Sequence, residues 1–166
     1  MSWKFREASY EDLDGIYKIE LACFDEIDVF HKDIFEFFLS RSGVIFLLAY
    51  SVDTPQNEEN NIIGFIIVNP RTFTAFEIIT IDVHPKWRSK GIGTKFLEII
   101  EEKIGQKILN YNLPTKSFTI ELVVYEENIA AKKLYEKCGY QFVKKLTNYY
   151  SQGRDGLKME KKITLD

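Results

Sequence analysis

Apolar and polar positions along this chain recur with two periods, one of two residues and one near 3.6, and those periods mark out its elements. Phe5 to Ala8 predicts a short first strand. Ser9 with Asp12 three residues later resembles a capping box that starts a helix through about Leu21, with Ile16, Ile19 and Leu21 on its inner face. Cys23 to Asp28 reads as an acidic loop, and Ile34, Phe35, Phe38 and Leu39 predict a second short helix that Gly43 ends. Val44 to Tyr50 and Ile62 to Val68 are strand-like runs, joined by the polar stretch Asp53 to Asn61, which has hairpin-loop composition. Phe76 to Val83 is a further strand, whose adjacent Ile78 and Ile79 predict a bulge or two buried faces. Ile92, Phe96, Ile99, Ile100, Ile104 and Ile108 mark a long amphipathic helix closed by Asn112-Leu113-Pro114. Phe118 to Tyr125 reads as a strand. Asn128 is a good N-cap for a helix with Ala131, Leu134, Tyr135 and Cys138 along one face, and Gly139 stops it. Tyr140 to Lys145 and Leu157 to Lys161 complete the chain as two strands around a polar loop. This order predicts a mixed α/β fold with at least two strand-helix-strand crossovers and a buried central sheet.

Composition narrows that picture without redirecting it. A chain of 166 residues, 45% hydrophobic and 28% charged, fits one domain over residues 1–166. The net charge of −3 gives no general attraction to nucleic acid, so none is expected as a partner. The opening MSWKFREASYEDLDG lacks the apolar core of a signal peptide, and no apolar run is long enough to span a bilayer. A cytoplasmic protein with no membrane partner is the expectation. Cys23 and Cys138 make no disulfide framework, and with His31 and His84 they give no usable metal spacing, so both cysteines are expected as core or near-core thiols.

The chemistry concentrates between Ile81 and Leu97. A β-branched run ends at Val83, His84-Pro85 breaks it, and Arg88-Ser89-Lys90-Gly91-Ile92-Gly93 leads into the long helix. A glycine-rich turn entering a helix exposes backbone N–H groups and the positive end of the helix dipole, which suits a phosphate. A dinucleotide fingerprint would need a third glycine where Phe96 stands, and a P-loop would need Gly-Lys-Ser/Thr where Gly93-Thr94-Lys95 stands. A purely steric demand for two small residues would give the same letters.

A second motif accompanies the first: Asn128 and Tyr135, seven residues apart in Asn128-Ile129-Ala130-Ala131-Lys132-Lys133-Leu134-Tyr135. Together, Arg88-x-x-Gly91-x-Gly93 and Asn128…Tyr135 resemble the signatures of the GNAT superfamily of acyl-coenzyme A-dependent N-acyltransferases. The similarity runs from the first strand to the last. Tyr149-Tyr150 followed by Arg154-Asp155-Gly156-Leu157-Lys158-Met159 resembles the final hairpin of the RimI-like protein N-terminal acetyltransferases. The resemblance implies a GNAT fold, with a central mixed, mostly antiparallel sheet of about seven strands flanked by about four helices. It implies acetyl-CoA as donor. The backbone of Ile81, Asp82 and Val83 would pair with the pantetheine arm, Arg88, Ser89, Lys90, Gly91, Ile92, Gly93 and Thr94 would hold the pyrophosphate, and Asn128 and Tyr135 would reach the arm near the thioester.

Direct attack of an amine on a thioester needs a neutral amine, a polarised carbonyl and a proton for the departing thiolate. Tyr135 stands at the family's acid position, where its other reading is a core aromatic beside Leu134. RimI-like enzymes carry a Glu or His five residues ahead of the Asn, and here that residue is Val123. Glu77, eleven residues before Arg88, has the spacing of the catalytic glutamate in other GNAT branches, and Glu121 is the second candidate. Each reads equally as a solvated strand carboxylate. Phe24, Asp25 and Glu26, with Asp28, and the pair Tyr149 and Tyr150 would receive a cationic peptide end; the acids read equally as a solvated loop. An α-amine of pKa about 8 costs roughly 1.4 kcal/mol to deprotonate at pH 7 and a lysine amine about 4.6. A protein or peptide N-terminus is therefore the leading acceptor, ahead of a small-molecule amine such as a polyamine or amino sugar. A non-catalytic acyl-CoA-binding module is the alternative outside enzymology. Monomer and homodimer are both open.

Overall fold

A computed structural model describes residues 2–53, 61–111, 113–114 and 116–165. The strands are β1 Trp3–Glu7, β2 Ile45–Ser51, β3 Ile62–Pro70, β4 Ala75–Val83, β5 Ser117–Tyr125, β6 Gln141–Leu146 and β7 Gly156–Thr164. The α-helices among the described residues are α1 Leu13–Cys23, α2 Lys32–Ser40, α3 Ile92–Asn110 and α4 Ile129–Lys137. The strands form one sheet in the order β1-β2-β3-β4-β5-β7-β6. It is mixed: β1–β2, β2–β3, β5–β7 and β6–β7 are antiparallel, and β4–β5 is parallel. Two crossovers make this topology. α3 joins the parallel neighbours β4 and β5, and α4 joins β5 to β6 with β7 lying between them. No helix among the described residues is long and apolar enough to cross a membrane.

The chain divides into two compact units, Met1–Asn69 with Ile79–Phe96, and Pro70–Ile78 with Leu97–Asp166. In the first, Ile16 and Ile19 of α1, Phe35 and Phe38 of α2 and Phe46, Leu48, Ile62, Phe65 and Ile67 of the β2–β3 hairpin form the core. Phe35 meets Phe65 edge-on at 5.5 Å between ring centroids. Burying each such ring contributes roughly 2–3 kcal/mol. Residues 54–60 of the polar hairpin connection lie outside the described residues. The capping box forms at the head of a single 3-10 turn, Tyr10–Asp12, that runs into α1, with the Asp12 carboxylate accepting from the Ser9 N–H at 2.9 Å and the Ser9 hydroxyl at 3.0 Å. Arg6 adds a fork of two bonds to the same carboxylate, 2.7 and 2.6 Å long. One assignment on α1 is corrected: Leu21 is 49% exposed, and the inward position is taken by Glu20. Residue 20 lies one turn after Ile16, whereas residue 21 is rotated about 140° from it.

In the second unit, β5 alternates buried and half-buried positions, with Phe118, Ile120, Leu122 and Val124 inward. Leu97, Ile100, Ile104 and Ile108 of α3 are buried as the helical period predicts, and Phe76 meets Phe118 at 6.2 Å. Ile78 is buried, and Ile79 packs on the core of the first unit, so the doubled isoleucine reflects two apolar faces. Helix α3 ends at Asn110, and Asn112 lies outside the described residues.

Candidate active site

In the first unit, β4 ends at Val83 and Pro85 opens a single 3-10 turn, Pro85–Trp87, with His84 Nδ1 accepting the Lys86 N–H at 3.2 Å. Ser89 (φ 60°) and Gly91 (φ 83°) then adopt left-handed conformations on either side of Lys90. Alternating handedness turns successive N–H groups toward one concavity, and α3 begins immediately at Ile92, so the helix dipole adds to the same field. A Cβ on Gly91 would meet no atom within 4 Å, which makes its φ, not crowding, the demand for glycine. Arg88 to Gly91 are exposed, Gly93 and Thr94 are half-buried, and Ile92 is buried as the peg of the turn.

The strand end beneath this turn is tightly held. The Val83 carbonyl accepts both Arg88 Nε at 3.0 Å and Cys23 Sγ at 3.5 Å. Arg88 therefore folds back on its own strand. Ile81 is half-buried, and the Asp82 side chain points inward, 3% exposed, so only its backbone is presented. Burial, with the nearby Asp82, pushes the Cys23 thiol up to about 11, which makes it an inert near-core thiol. Phe24, Asp25 and Glu26 are exposed in the loop after α1. That loop is closed by the Asp28 N–H on the Asp25 carbonyl at 2.9 Å and by the Phe30 N–H on Glu20 Oε1 at 2.8 Å. Glu20 is the residue the sequence reading missed.

In the second unit, Asn128 caps α4 through Oδ1, which accepts the Ala131 N–H at 3.1 Å. The cap occupies that oxygen and leaves the side-chain NH2 for other partners. Tyr135 is 5% exposed and meets Tyr140 edge-on at 5.8 Å. The Tyr140 hydroxyl has no hydrogen-bond partner among the described residues, and burial, with Glu101 and Tyr135 nearby, raises its pKa.

The parallel register pairs Glu77 with Glu121, which sets the two candidate bases side by side on one face. Each has a cation: Arg71 lies 3.3 Å from Glu77, and Lys158 pairs with Glu121. Val123 follows on the same face with Lys158 directly opposite on β7. Tyr149 and Tyr150 converge there. A Cβ on Gly156 would lie 2.6 Å from Val123 Cγ1 and 3.2 Å from both Cβ and Cδ1 of Tyr149, so the missing side chain is what lets the Tyr149 ring settle beside Val123. The Tyr150 hydroxyl donates to the Val123 carbonyl at 3.0 Å. Burial, together with the Glu77 charge, raises the Tyr149 phenol above its ordinary value. The structure thus brings Glu77, Glu121, Val123, Tyr149 and Tyr150 onto one surface of the second unit.

Residues 45–142, a span that includes both the left-handed turn and the Asn128–Tyr135 helix, match the acetyltransferase (GNAT) domain family. The chain belongs to the GNAT acetyltransferase family. This GNAT protein is 28% identical over 171 aligned positions to an N-alpha-acetyltransferase of Saccharolobus solfataricus, covering 95% of this chain and 92% of that one. It is 32% identical over 89 residues to the N-terminal acetyltransferase B complex catalytic subunit NAA20 of Arabidopsis thaliana. That match covers 54% of this chain and 47% of the relative, so the aligned region spans about half the relative's length. The same GNAT fold is seen in Arabidopsis thaliana NAA60 solved in complex with acetyl-CoA, with a TM-score of 0.78, 17% identity, and coverage of 98% of this chain and 99% of the other.

Proposed function

We propose that this GNAT protein is a cytoplasmic N-acetyltransferase that moves an acetyl group from acetyl-CoA to the α-amine of a protein N-terminus. The observation that carries the reading is the left-handed pair Ser89 and Gly91 at the head of α3, a ready-made diphosphate cradle directly after β4. The named N-alpha-acetyltransferase relative that matches over nearly its full length supports the acceptor. In this reading the N–H groups of Ser89 to Thr94 bind the coenzyme pyrophosphate, and the backbone of Ile81 to Val83 orients the pantetheine arm. The Asn128 amide adds a contact near the thioester.

The incoming α-ammonium first gives a proton to Glu77 or to water beside it. The neutral nitrogen attacks the thioester carbon, the tetrahedral adduct collapses with cleavage of the C–S bond, and Tyr135 donates its phenolic proton to the thiolate. The attacking nitrogen releases its extra proton to solvent, and the proton taken up by Glu77 or water returns through solvent to Tyr135, so both groups are restored and one proton leaves per turnover. An α-amine needs only a weak base, since its deprotonation costs about 1.4 kcal/mol near pH 7. The residues assigned to the peptide acceptor are Phe24, Asp25 and Glu26 and the pair Tyr149 and Tyr150.

A second reading, a non-catalytic acyl-CoA-binding module, draws support from Val123 at the base position and from the cation paired with each remaining carboxylate. A thiol-release assay with acetyl-CoA separates the two when peptides and small amines are supplied side by side. Peptide-dependent release that falls at least about 100-fold in Tyr135→Phe supports catalysis, and coenzyme binding without release on any amine supports the module.

A further inference from the structure

Glu20 and Asp82 are the two most deeply buried acids among the described residues, 1% and 3% exposed. Glu20 Oε1 accepts the Phe30 N–H at 2.8 Å, which fastens the end of the loop that follows α1. Glu20 Oε2 is buried with no N–H or O–H donor among the described residues. Its neighbour is the Asp82 carboxyl, whose Oδ2 accepts the Thr80 hydroxyl at 3.0 Å. The other titratable or charged groups acting on the pair are Cys23 on α1, whose thiol is un-ionised at neutral pH, and Arg88, which is committed to the Val83 carbonyl. One shared cation does not balance two carboxylates out of water. A proton held between the acids removes their repulsion and supplies the donor that Oε2 lacks.

We infer that Glu20 is a positioning residue: bridged by a proton to Asp82 and bonded to the Phe30 N–H, it fixes the acceptor loop from Phe24 to Phe30 against the donor-binding end of β4. The inference rests on the N-acetyltransferase reading for what loop and strand do, and the tether itself is independent of that reading. Asp82 stands between Ile81 and Val83, so the pair ties the loop to the backbone assigned to the pantetheine arm. Burial holds both carboxyls above the ordinary carboxylate range, and the facing Glu20 adds to the rise at Asp82. The sign follows: with folded-state pKa values above the unfolded ones, the stabilisation is complete at low pH and is lost as pH rises through the folded values.

The test uses Glu20→Gln, whose amide keeps an acceptor for Phe30 and replaces the shared proton with an N–H, and Glu20→Leu, which removes both. Hydrogen exchange on the free protein reads the tether. Glu20→Leu should speed exchange over residues 24–31 about tenfold and Glu20→Gln should leave it within about twofold. Steady-state kinetics with acetyl-CoA and a peptide that wild type acetylates reads positioning. Glu20→Leu should raise the peptide KM at least about tenfold with kcat and the acetyl-CoA KM within about threefold. In wild type the peptide KM should climb as pH rises through the raised folded-state values of the pair, and Glu20→Gln should flatten that climb. If Glu20→Leu does not fold, Glu20→Gln and Asp82→Asn carry the pH comparison. Unchanged loop exchange in Glu20→Leu, or identical pH profiles for wild type and Glu20→Gln, overturns the inference. Normal turnover with an intact tether but no KM effect overturns the positioning role alone, whereas absence of wild-type turnover on every amine overturns the acetyltransferase reading and the positioning role with it.

Discussion

Replacing Gly156 by alanine tests the acceptor surface of the second unit at its tightest point. The added methyl would stand 2.6 Å from Val123 Cγ1, well inside contact distance, and 3.2 Å from two atoms of Tyr149. Relief by backbone movement is restricted, because Gly156 pairs with Tyr125 on one side and Leu146 on the other. Val123 is β-branched and has little rotamer freedom on a strand. The ring of Tyr149 is therefore the part that gives. Overpacking of this kind costs about 1–3 kcal/mol, and in a protein of this size each kcal/mol shifts the melting temperature by about 2–4 °C. Urea denaturation should place Gly156→Ala about 2 kcal/mol below wild type, and the peptide KM should rise as Tyr149 leaves its seat. Val123→Ala removes the closest atom, so the double variant should recover at least about 1 kcal/mol relative to the sum of the single changes. An unchanged midpoint for Gly156→Ala, or strict additivity in the cycle, would refute the packing argument.

Three further outcomes follow from the geometry. Asn128→Ala should destabilise by about 1 kcal/mol through loss of the cap on Ala131, whereas Asn128→Asp should keep the stability and raise the acetyl-CoA KM, as calorimetry and kinetics on the two variants will show. Arg88→Glu should weaken coenzyme A binding by at least about tenfold in calorimetric titration, because it sets a negative charge at the cradle and releases the Val83 carbonyl; unchanged affinity would remove the cradle from the coenzyme site. Asp12 is pushed up by burial, but the bonds from Arg6 and Ser9 together outweigh this and hold it below the ordinary range. Its stabilisation is present above the unfolded pKa near 4 and is lost as pH falls through the folded value, so Arg6→Leu should cost about 1 kcal/mol at pH 7 and less at pH 3 in urea titrations, Arg6 being partly solvent-screened.

What sequence could reveal here was local. The cap at Asn128, the stop at Gly139 and the turn at Ser89 to Gly91 each rest on a few adjacent residues whose backbone needs fix their identity, and each is present. The order of strands and helices followed from periodicity in the same way. What stayed hidden depends on neighbours remote in the chain. Glu20 looks like the polar margin of an amphipathic helix until Asp82 and Phe30 close around it, and its burial displaced Leu21 from the face assigned to it. Glu77 and Glu121 become neighbours only through the parallel register of β4 and β5. Gly156 reads as the end of a loop, and its steric role exists only once Val123 and Tyr149 lie over it.

Mass spectrometry of peptides incubated with the protein and acetyl-CoA tests the central claim most directly, since it reports acceptor and attachment atom together. The account predicts one added acetyl group on the α-amine, with free peptide N-termini modified and lysine side chains of the same peptides left intact. Acetylation confined to lysines or small amines, or none on any peptide while coenzyme A still binds, would contradict it.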